Sequence, residues 1–299
     1  MERTRKVNLL LYVTVAIYIM VMLFIRVFQI QLPMLLGLSL SQILIILPTI
    51  GYFIITKKSP LKLIRHQKMK LSVLFLVVVM AFLLIPIVTF VNSISLLFVE
   101  NEVTELMTTL TSLPFVTGLF FIAILPAFVE EFVFRGVYYH TYLQNGVWKG
   151  IFLSAFIFGL MHLNINQFSY AFILGVFLAI TIEATGTIVS AMIIHFIING
   201  NSYVLSYLLN MIETETPAAT TIDATIFPIY FITVAFLFVV AAICLVLVIL
   251  LYKKIAKISG RQAYFNALWK RQVHPPQKEH TIDAYLGLAI LLCIVEMLR

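Results

Sequence analysis

The chain contains few charged residues for its length. Of its 299 residues only 11% are Asp, Glu, Lys or Arg, whereas 62% are hydrophobic and the mean hydropathy is +1.06. A soluble domain of ordinary composition carries about 25% charged residues. The shortage excludes a typical soluble domain and predicts an all-α fold, a polytopic bundle of membrane-spanning helices.

Cysteine is nearly absent too. The two that occur, Cys244 and Cys293, both lie within apolar runs, so we interpret them as small buried hydrophobic residues. This excludes a disulfide framework and a paired-cysteine metal site. The first apolar run is longer than the core of a usual signal peptide, and no A-x-A-like cleavage site follows it. We therefore expect a retained helix there.

Apolar runs divide the chain into about eight spans, since a crossing helix needs about 20 apolar residues. The runs cover 8–29, 33–56, 71–98, 113–143, 148–164, 168–184, 187–209 and 227–252. A weaker run at 284–298 predicts a short ninth helix that either crosses the membrane or lies on it. We divide the chain into a three-helix region (1–112), a helical core (113–209) and a helix with a basic tail (210–299), all within one structural domain.

The basic residues are distributed unevenly between the loops. The net charge is +7, but Lys and Arg cluster before the first span, at 57–70 and at 253–278, whereas the opposite loops carry acidic residues and no Lys or Arg. Basic loops beside apolar spans are typical of the cytosolic side, next to anionic lipid. We therefore predict a multi-pass protein of a cell membrane with a cytosolic N-terminus. We predict that it contacts the lipid bilayer and binds no nucleic acid.

One apolar run contains two adjacent glutamates and an arginine, in "VEEFVFR" (129–135). A charge near the bilayer centre costs about 2.5–3.5 kcal/mol, so each of these charged residues needs a partner or a function that accounts for it. Glu131 and Arg135 share a helix face and predict an ion pair. Glu130 points roughly 100° away from Glu131 and lacks a partner in this stretch. A fourth charge, Glu183 in "EATG" (183–186), precedes a tight turn, and we expect it to be solvated.

Glu130 and His162 lie equally far along the chain from a predicted turn. "QNGVWKG" (144–150) contains the turn dipeptide Asn145-Gly146, and Glu130 and His162 lie 16 residues before and after Gly146. In an antiparallel helix pair this places both roughly 24 Å from the turn, so we expect them to meet. Phe158 shares a face with His162. The alternative is that His162 is a packing residue held by a hydrogen bond, with no role in chemistry.

A further polar pair, His195 and Asn199 in "HFIIN" (195–199), also shares a helix face. The two side chains either donate hydrogen bonds toward one point or serve as polar contacts between helices. With Glu130 and His162 they provide a carboxylate, two imidazoles and an amide. This set suits hydrolysis by water: a desolvated glutamate acts as general base, an imidazole orients the water, and a His–Asn pair stabilises an oxyanion.

The ordered motifs Glu-Glu-x-x-x-Arg, Phe-x-x-x-His and His-x-x-x-Asn resemble the CPBP family. That family contains the CAAX prenyl endopeptidases and the bacteriocin-processing or immunity (Abi) proteins. The resemblance covers about 113–205, including the turn at 183–186, and implies an intramembrane endopeptidase whose site opens to the cytosol. It implies the following roles: Glu130 as the water-activating base, His162 as its partner, His195 and Asn199 as the oxyanion site, and Glu131, Arg135 and Phe158 as supporting residues.

The small single-domain build is similar to the bacterial members, so the resemblance implies a bacterial plasma membrane and a peptide or membrane-anchored protein as substrate. A glutamate and two histidines can also bind zinc. No His-Glu-x-x-His, which sets two ligands on one helix face, occurs in the sequence. We therefore favour a glutamate-activated water with no cofactor, and zinc is the alternative.

Two other functions fit the same polar residues. A non-enzymatic immunity or regulatory membrane protein could share this fold without cleaving a substrate. A proton-coupled transporter also uses buried Glu and His residues. Such transporters usually contain repeated halves, and the sequence has no internal repeat, so this reading has less support.

Overall fold

A bundle of membrane-spanning helices forms the fold. The computed structural model describes residues 3–57, 59, 67–99, 107, 109–212, 227–273 and 280–299. The helices are α1 (Arg3–Val27), α2 (Met34–Thr56), α3 (Leu71–Ser95), α4 (Phe115–Asn145), α5 (Val147–Leu160), α6 (Ile165–Thr185), α7 (Val189–Ile212), α8 (Phe227–Ile258), α9 (Gln262–Trp269) and α10 (Ala284–Met297). Among the described residues, seven of these helices are long and apolar enough to cross a membrane. The prediction of a polytopic helical membrane protein is confirmed.

Helix α5 is shorter than the apolar run that predicted it. It has 14 residues, about 21 Å, against a hydrocarbon thickness of about 30 Å. The run 148–164 does not continue as one helix because Leu163 adopts a positive φ of 52° and the Asn164 side chain caps α6 by accepting from the Gln167 N–H. His162 therefore lies in the turn after α5. Helix α10 also has 14 residues.

The turn between α4 and α5 lies where the sequence predicts it. Helix α4 ends at Asn145, α5 begins at Val147, and Gly146 between them has a φ of 130°. Glycine adopts this conformation without the steric cost that a side chain would add. The two helices therefore leave the same tight turn.

Helix α4 is not a uniform α-helix. Two π-helical segments, Phe120–Ile124 and Phe132–Tyr139, flank an α-helical segment, Leu125–Glu131, that ends with the two glutamates. A π segment adds a residue to the turn and so re-aims the side chains around it, and such segments occur often at functional sites. The departure from α geometry adjoins the polar residues of this helix on both sides.

The apolar core forms two clusters that share α4, α5 and α6. One cluster is built mainly from α3, α6, α7 and α8, with Tyr139 of α4 at its edge. The other is built from α1, α2, α4, α5 and α10. Both cysteines are free and buried in these clusters, as the sequence predicted. The N-terminal and C-terminal helices therefore pack directly on the central ones.

The orientation of the bundle in the membrane stays a prediction. The acidic loops that support it, 100–106 and 213–226, lie outside the described residues, as do basic residues of 60–66 and 274–279. Helix α8 has 32 residues, about 48 Å, so it extends beyond the hydrocarbon of a bilayer at its basic end.

The expectation that Glu183 is solvated is wrong. Its side chain is 0% exposed, and its carboxylate accepts hydrogen bonds from the hydroxyls of Tyr139 and Tyr264. Arg261 adds a guanidinium 3.7 Å from the carboxylate and donates from Nε to the Glu183 carbonyl at 2.8 Å. The turn is covered because the chain after α8 folds back over the end of α6.

Removing this buried carboxylate should destabilise the protein. Glu183→Ala removes the counter-charge of Arg261 and the carboxylate that accepts from two tyrosine hydroxyls, which we expect to lower the free energy of unfolding by about 3–5 kcal/mol. The matched control is Glu296→Ala, because Glu296 pairs with Arg26 and Arg299, which are half-exposed or more, and such pairs contribute about 0–1 kcal/mol. Thermal unfolding in detergent measures both, and equal losses would contradict the prediction.

Candidate active site

The carboxylate of Glu131 lies at the centre of the polar cluster. Its side chain is fully buried, and Oε1 is 3.2 Å from Nη1 of Arg135 and 2.9 Å from Nδ1 of His195. The ion pair that the spacing of Glu131 and Arg135 predicts is therefore present. The same oxygen also ties α4 to α7, a contact that the spacing within one helix cannot reveal.

Arg135 is held by charge and by an aromatic ring. Its guanidinium carbon lies 4.3 Å from the centre of the Phe158 ring on α5, a favourable cation–π position. None of its side-chain nitrogens is in hydrogen-bonding geometry with a described residue, so the contact with Glu131 is ionic. Gly175 of α6 leaves room for the group, because a Cβ there would lie 3.1 Å from Nη2.

His195 lies between the two glutamates. Because a carboxylate only accepts hydrogen bonds, the contact with Glu131 places a proton on Nδ1 of His195. The other ring nitrogen, Nε2, faces Oε2 of Glu130 at 3.8 Å. This separation is too long for a direct hydrogen bond and suits a water molecule bound to both atoms.

Glu130 has a partner on a helix that the sequence reasoning passed over. Its side chain is 12% exposed, and its Oε1 accepts a hydrogen bond from Nε2 of Gln42 on α2 at 2.9 Å. The signal for Gln42 was available, since it is an amide within the apolar run 33–56. Without the fold, however, nothing indicated that α2 packs beside the glutamates.

Among the described residues no hydrogen bond or ion pair joins His162 to Glu130, so the meeting that equal counting predicts stays a prediction. Its Nδ1 lies 2.9 Å from the carbonyl oxygen of Phe158, and its ring packs edge-on against the Phe158 ring at 5.1 Å between centroids. The ring of His195 packs against the same phenylalanine at 5.8 Å. Because α5 ends at Leu160, His162 lies in the turn after the helix, and its ring contacts the carbonyl of Phe158 in the last turn of α5. Among the described residues, the histidine that faces Glu130 is His195.

Asn199 is occupied by a backbone carbonyl of α4. Its Nδ2 donates to the carbonyl oxygen of Ile122 at 3.1 Å. In an α-helix that carbonyl would accept from the N–H of residue 126, but residue 126 is a proline and has none. Asn199 therefore supplies this carbonyl with a donor in place of the N–H that Pro126 lacks. It shares the α7 face of His195, but its amide is directed at α4.

The donors for a metal ion are few in this arrangement. No group of three or more His, Cys, Asp or Glu side chains in the described part of the chain is placed to hold one. The atoms that converge are Oε2 of Glu130 and Nε2 of His195, since Nδ1 of His195 is bound to Glu131. A zinc site takes three or four protein ligands, so zinc fits this donor set poorly.

Residues 112–200 match the model of a protease family, described as type II CAAX prenyl endopeptidase Rce1-like. The match confirms the resemblance to the CPBP and CAAX protease family, and it contains all three motifs. No curated protein and no solved structure matches the chain. Gln42 and the whole of α2 lie outside the matched range.

The two adjacent glutamates should differ sharply when each loses its charge. Glu131→Gln leaves the wholly buried Arg135 uncompensated, which we expect to cost about 3–5 kcal/mol of stability. Glu130→Gln keeps the side-chain shape at a partly accessible position and should change stability by less than about 1 kcal/mol. Thermal unfolding of both variants in the same detergent measures the difference, and similar melting temperatures would show that the two carboxylates have equivalent environments.

Proposed function

We propose that this chain is an intramembrane endopeptidase that hydrolyses a peptide bond in a membrane-associated protein or peptide, using a water activated by Glu130. The family match supports a peptidase. The observation that carries the mechanism is the facing pair of Glu130 Oε2 and His195 Nε2, 3.8 Å apart, with His195 held by Glu131 from the other side. We further propose a bacterial plasma membrane with a cytosolic N-terminus.

The water lies between Glu130 and His195 in this mechanism. Glu130 accepts a proton as the water oxygen attacks the substrate carbonyl carbon, and it later returns that proton to the leaving amide nitrogen. His195 orients the water, and Glu131 fixes the ring position and keeps the proton on Nδ1. This arrangement parallels the general logic in which a buried carboxylate orients a catalytic imidazole.

The partner of the base is His195 in this proposal, whereas the resemblance assigned that role to His162. The ring of His162 packs against Phe158 beside the site. Its Nδ1, and not its Nε2, contacts the Phe158 carbonyl. The oxyanion role of Asn199 stays a prediction, and it requires the amide to exchange the Ile122 carbonyl for the substrate oxygen.

Loss of the Glu130 carboxylate should abolish cleavage without unfolding the protein. General-base catalysis contributes typically 10²–10⁴-fold, so Glu130→Gln should reduce the products by about that factor. The measurement compares membrane peptidomes and C-terminal proteomes of cells that carry wild type, Glu130→Gln and the control Glu296→Gln at matched expression. Fragments that wild type and the control share, and Glu130→Gln lacks, identify the substrate class.

Identical peptidomes in wild type and Glu130→Gln, with the wild-type phenotype kept by the variant, would contradict the protease. That result would favour the non-enzymatic immunity or regulatory protein instead.

Turnover should persist when metal ions are removed. Among the described residues two donor atoms converge at the proposed water position, so we expect 1,10-phenanthroline or EDTA to leave the initial cleavage rate of the purified protein unchanged. A zinc peptidase assayed under the same detergent conditions is the positive control. Loss of activity that added zinc restores would overturn the metal-free mechanism.

A further inference from the structure

Gln42 reaches the candidate base from a distant part of the chain. It lies on α2, 88 residues before Glu130, and its Nε2 donates to Oε1 of Glu130 at 2.9 Å. The ionised carboxylate only accepts hydrogen bonds, so the amide must face it with its nitrogen. This assigns the orientation of the amide group without ambiguity between its nitrogen and its oxygen.

The remaining hydrogen-bonding capacity of Gln42 is not used by its surroundings. Its Oε1 is enclosed and accepts no hydrogen bond from any residue that the structure describes. A glutamine placed to join helices would normally use both ends of its amide, because a buried unpaired acceptor is costly. Among the described residues, the one hydrogen bond that holds this side chain is the bond to Glu130.

The bond also decides which oxygen of Glu130 faces the imidazole. Gln42 occupies Oε1, and Oε2 is the oxygen that lies 3.8 Å from Nε2 of His195. A glutamate side chain has three rotatable bonds, and Nε2 of His195 offers no proton to hold its carboxylate, because the ring proton lies on Nδ1. Without Gln42 the carboxylate can rotate, and Oε2 can turn away from Nε2 of His195.

We propose that Gln42 is a positioning residue of this site: it holds Oε1 of Glu130 and so keeps Oε2 directed toward Nε2 of His195, where the attacking water binds both atoms. The inference rests on the proposed function. It assigns a role in the site to the N-terminal region, which lies outside the family match at 112–200. The alternative is that Gln42 serves only as a polar contact between α2 and α4.

The test uses variants of α2 in the full-length protein. Gln42→Met keeps the length of the side chain and removes the donor. Gln42→Asn keeps an amide but shortens the side chain by one methylene group, which moves the amide nitrogen away from Glu130. The matched control is Ser41→Ala, since the Ser41 hydroxyl donates to the Leu38 carbonyl of its own helix, at 2.8 Å. The probe is a synthetic peptide that spans the cleavage site found in the Glu130-dependent peptidome.

A misplaced catalytic group typically costs about 10²-fold in rate. We therefore expect kcat to fall by about 10- to 100-fold in Gln42→Met and in Gln42→Asn, with KM and the unfolding temperature close to those of Ser41→Ala. A polar contact between helices predicts the opposite pattern: kcat unchanged, or lowered only together with the unfolding temperature. Either of these results would overturn the inference.

Failure of the proposed function gives a different result. If wild type itself releases no Glu130-dependent fragment, the protease proposal and the inference are both wrong. If wild type cleaves and Gln42→Met cleaves equally fast, the protease proposal stands and only the role of Gln42 is wrong. Should Gln42→Met fail to fold, the comparison of Gln42→Asn with Ser41→Ala decides between the two roles.

Discussion

The buried carboxylate of Glu131 is the group on which the arrangement of the site depends. One of its oxygens meets both the guanidinium of Arg135 and the imidazole of His195. A buried arginine without a carboxylate is strongly unfavourable, so the charge of Glu131 cannot be removed without cost. The position of His195 on α7 follows from that constraint, as does the position of Phe158, whose ring covers the arginine.

Adjacent residues on one helix thereby acquire different chemistry. Glu131 faces inward to a fixed cation and an imidazole, whereas Glu130 accepts a hydrogen bond from α2 and directs its other oxygen toward Nε2 of His195. The π-helical segment that begins at Phe132 re-aims the following residues of α4. One carboxylate then balances buried charge, and its neighbour is the one to which our proposal assigns the reacting water.

The polar contacts outside the site serve mainly to hold helices whose own hydrogen bonding is incomplete. Asn199 donates to the Ile122 carbonyl, to which Pro126 has no N–H to donate, and Arg261 donates to the Glu183 carbonyl at the end of α6. Inside a membrane water cannot satisfy such groups, so protein side chains must do so. For this reason a conspicuous polar residue in an apolar helix is not by itself evidence of catalysis.

Patterns among residues close along the chain were sufficient to predict much of this structure. Composition and the length of the apolar runs determined a polytopic helical membrane protein, since the bilayer imposes length and apolarity on each span directly. The spacing of Glu131 and Arg135 determined their ion pair, and Asn145-Gly146 determined the turn after α4, because both depend on residues close along the chain.

Only the tertiary structure decided what lies across from each polar group. It paired Glu130 with His195 and Gln42, directed Asn199 to a carbonyl and buried Glu183 beneath Arg261. Counting from the turn placed His162 opposite Glu130, but the cap formed by Asn164 ended α5 early and moved the imidazole into a turn. Contacts between helices depend on how the helices pack and on where each helix ends. The periodicity within a single helix determines neither of these.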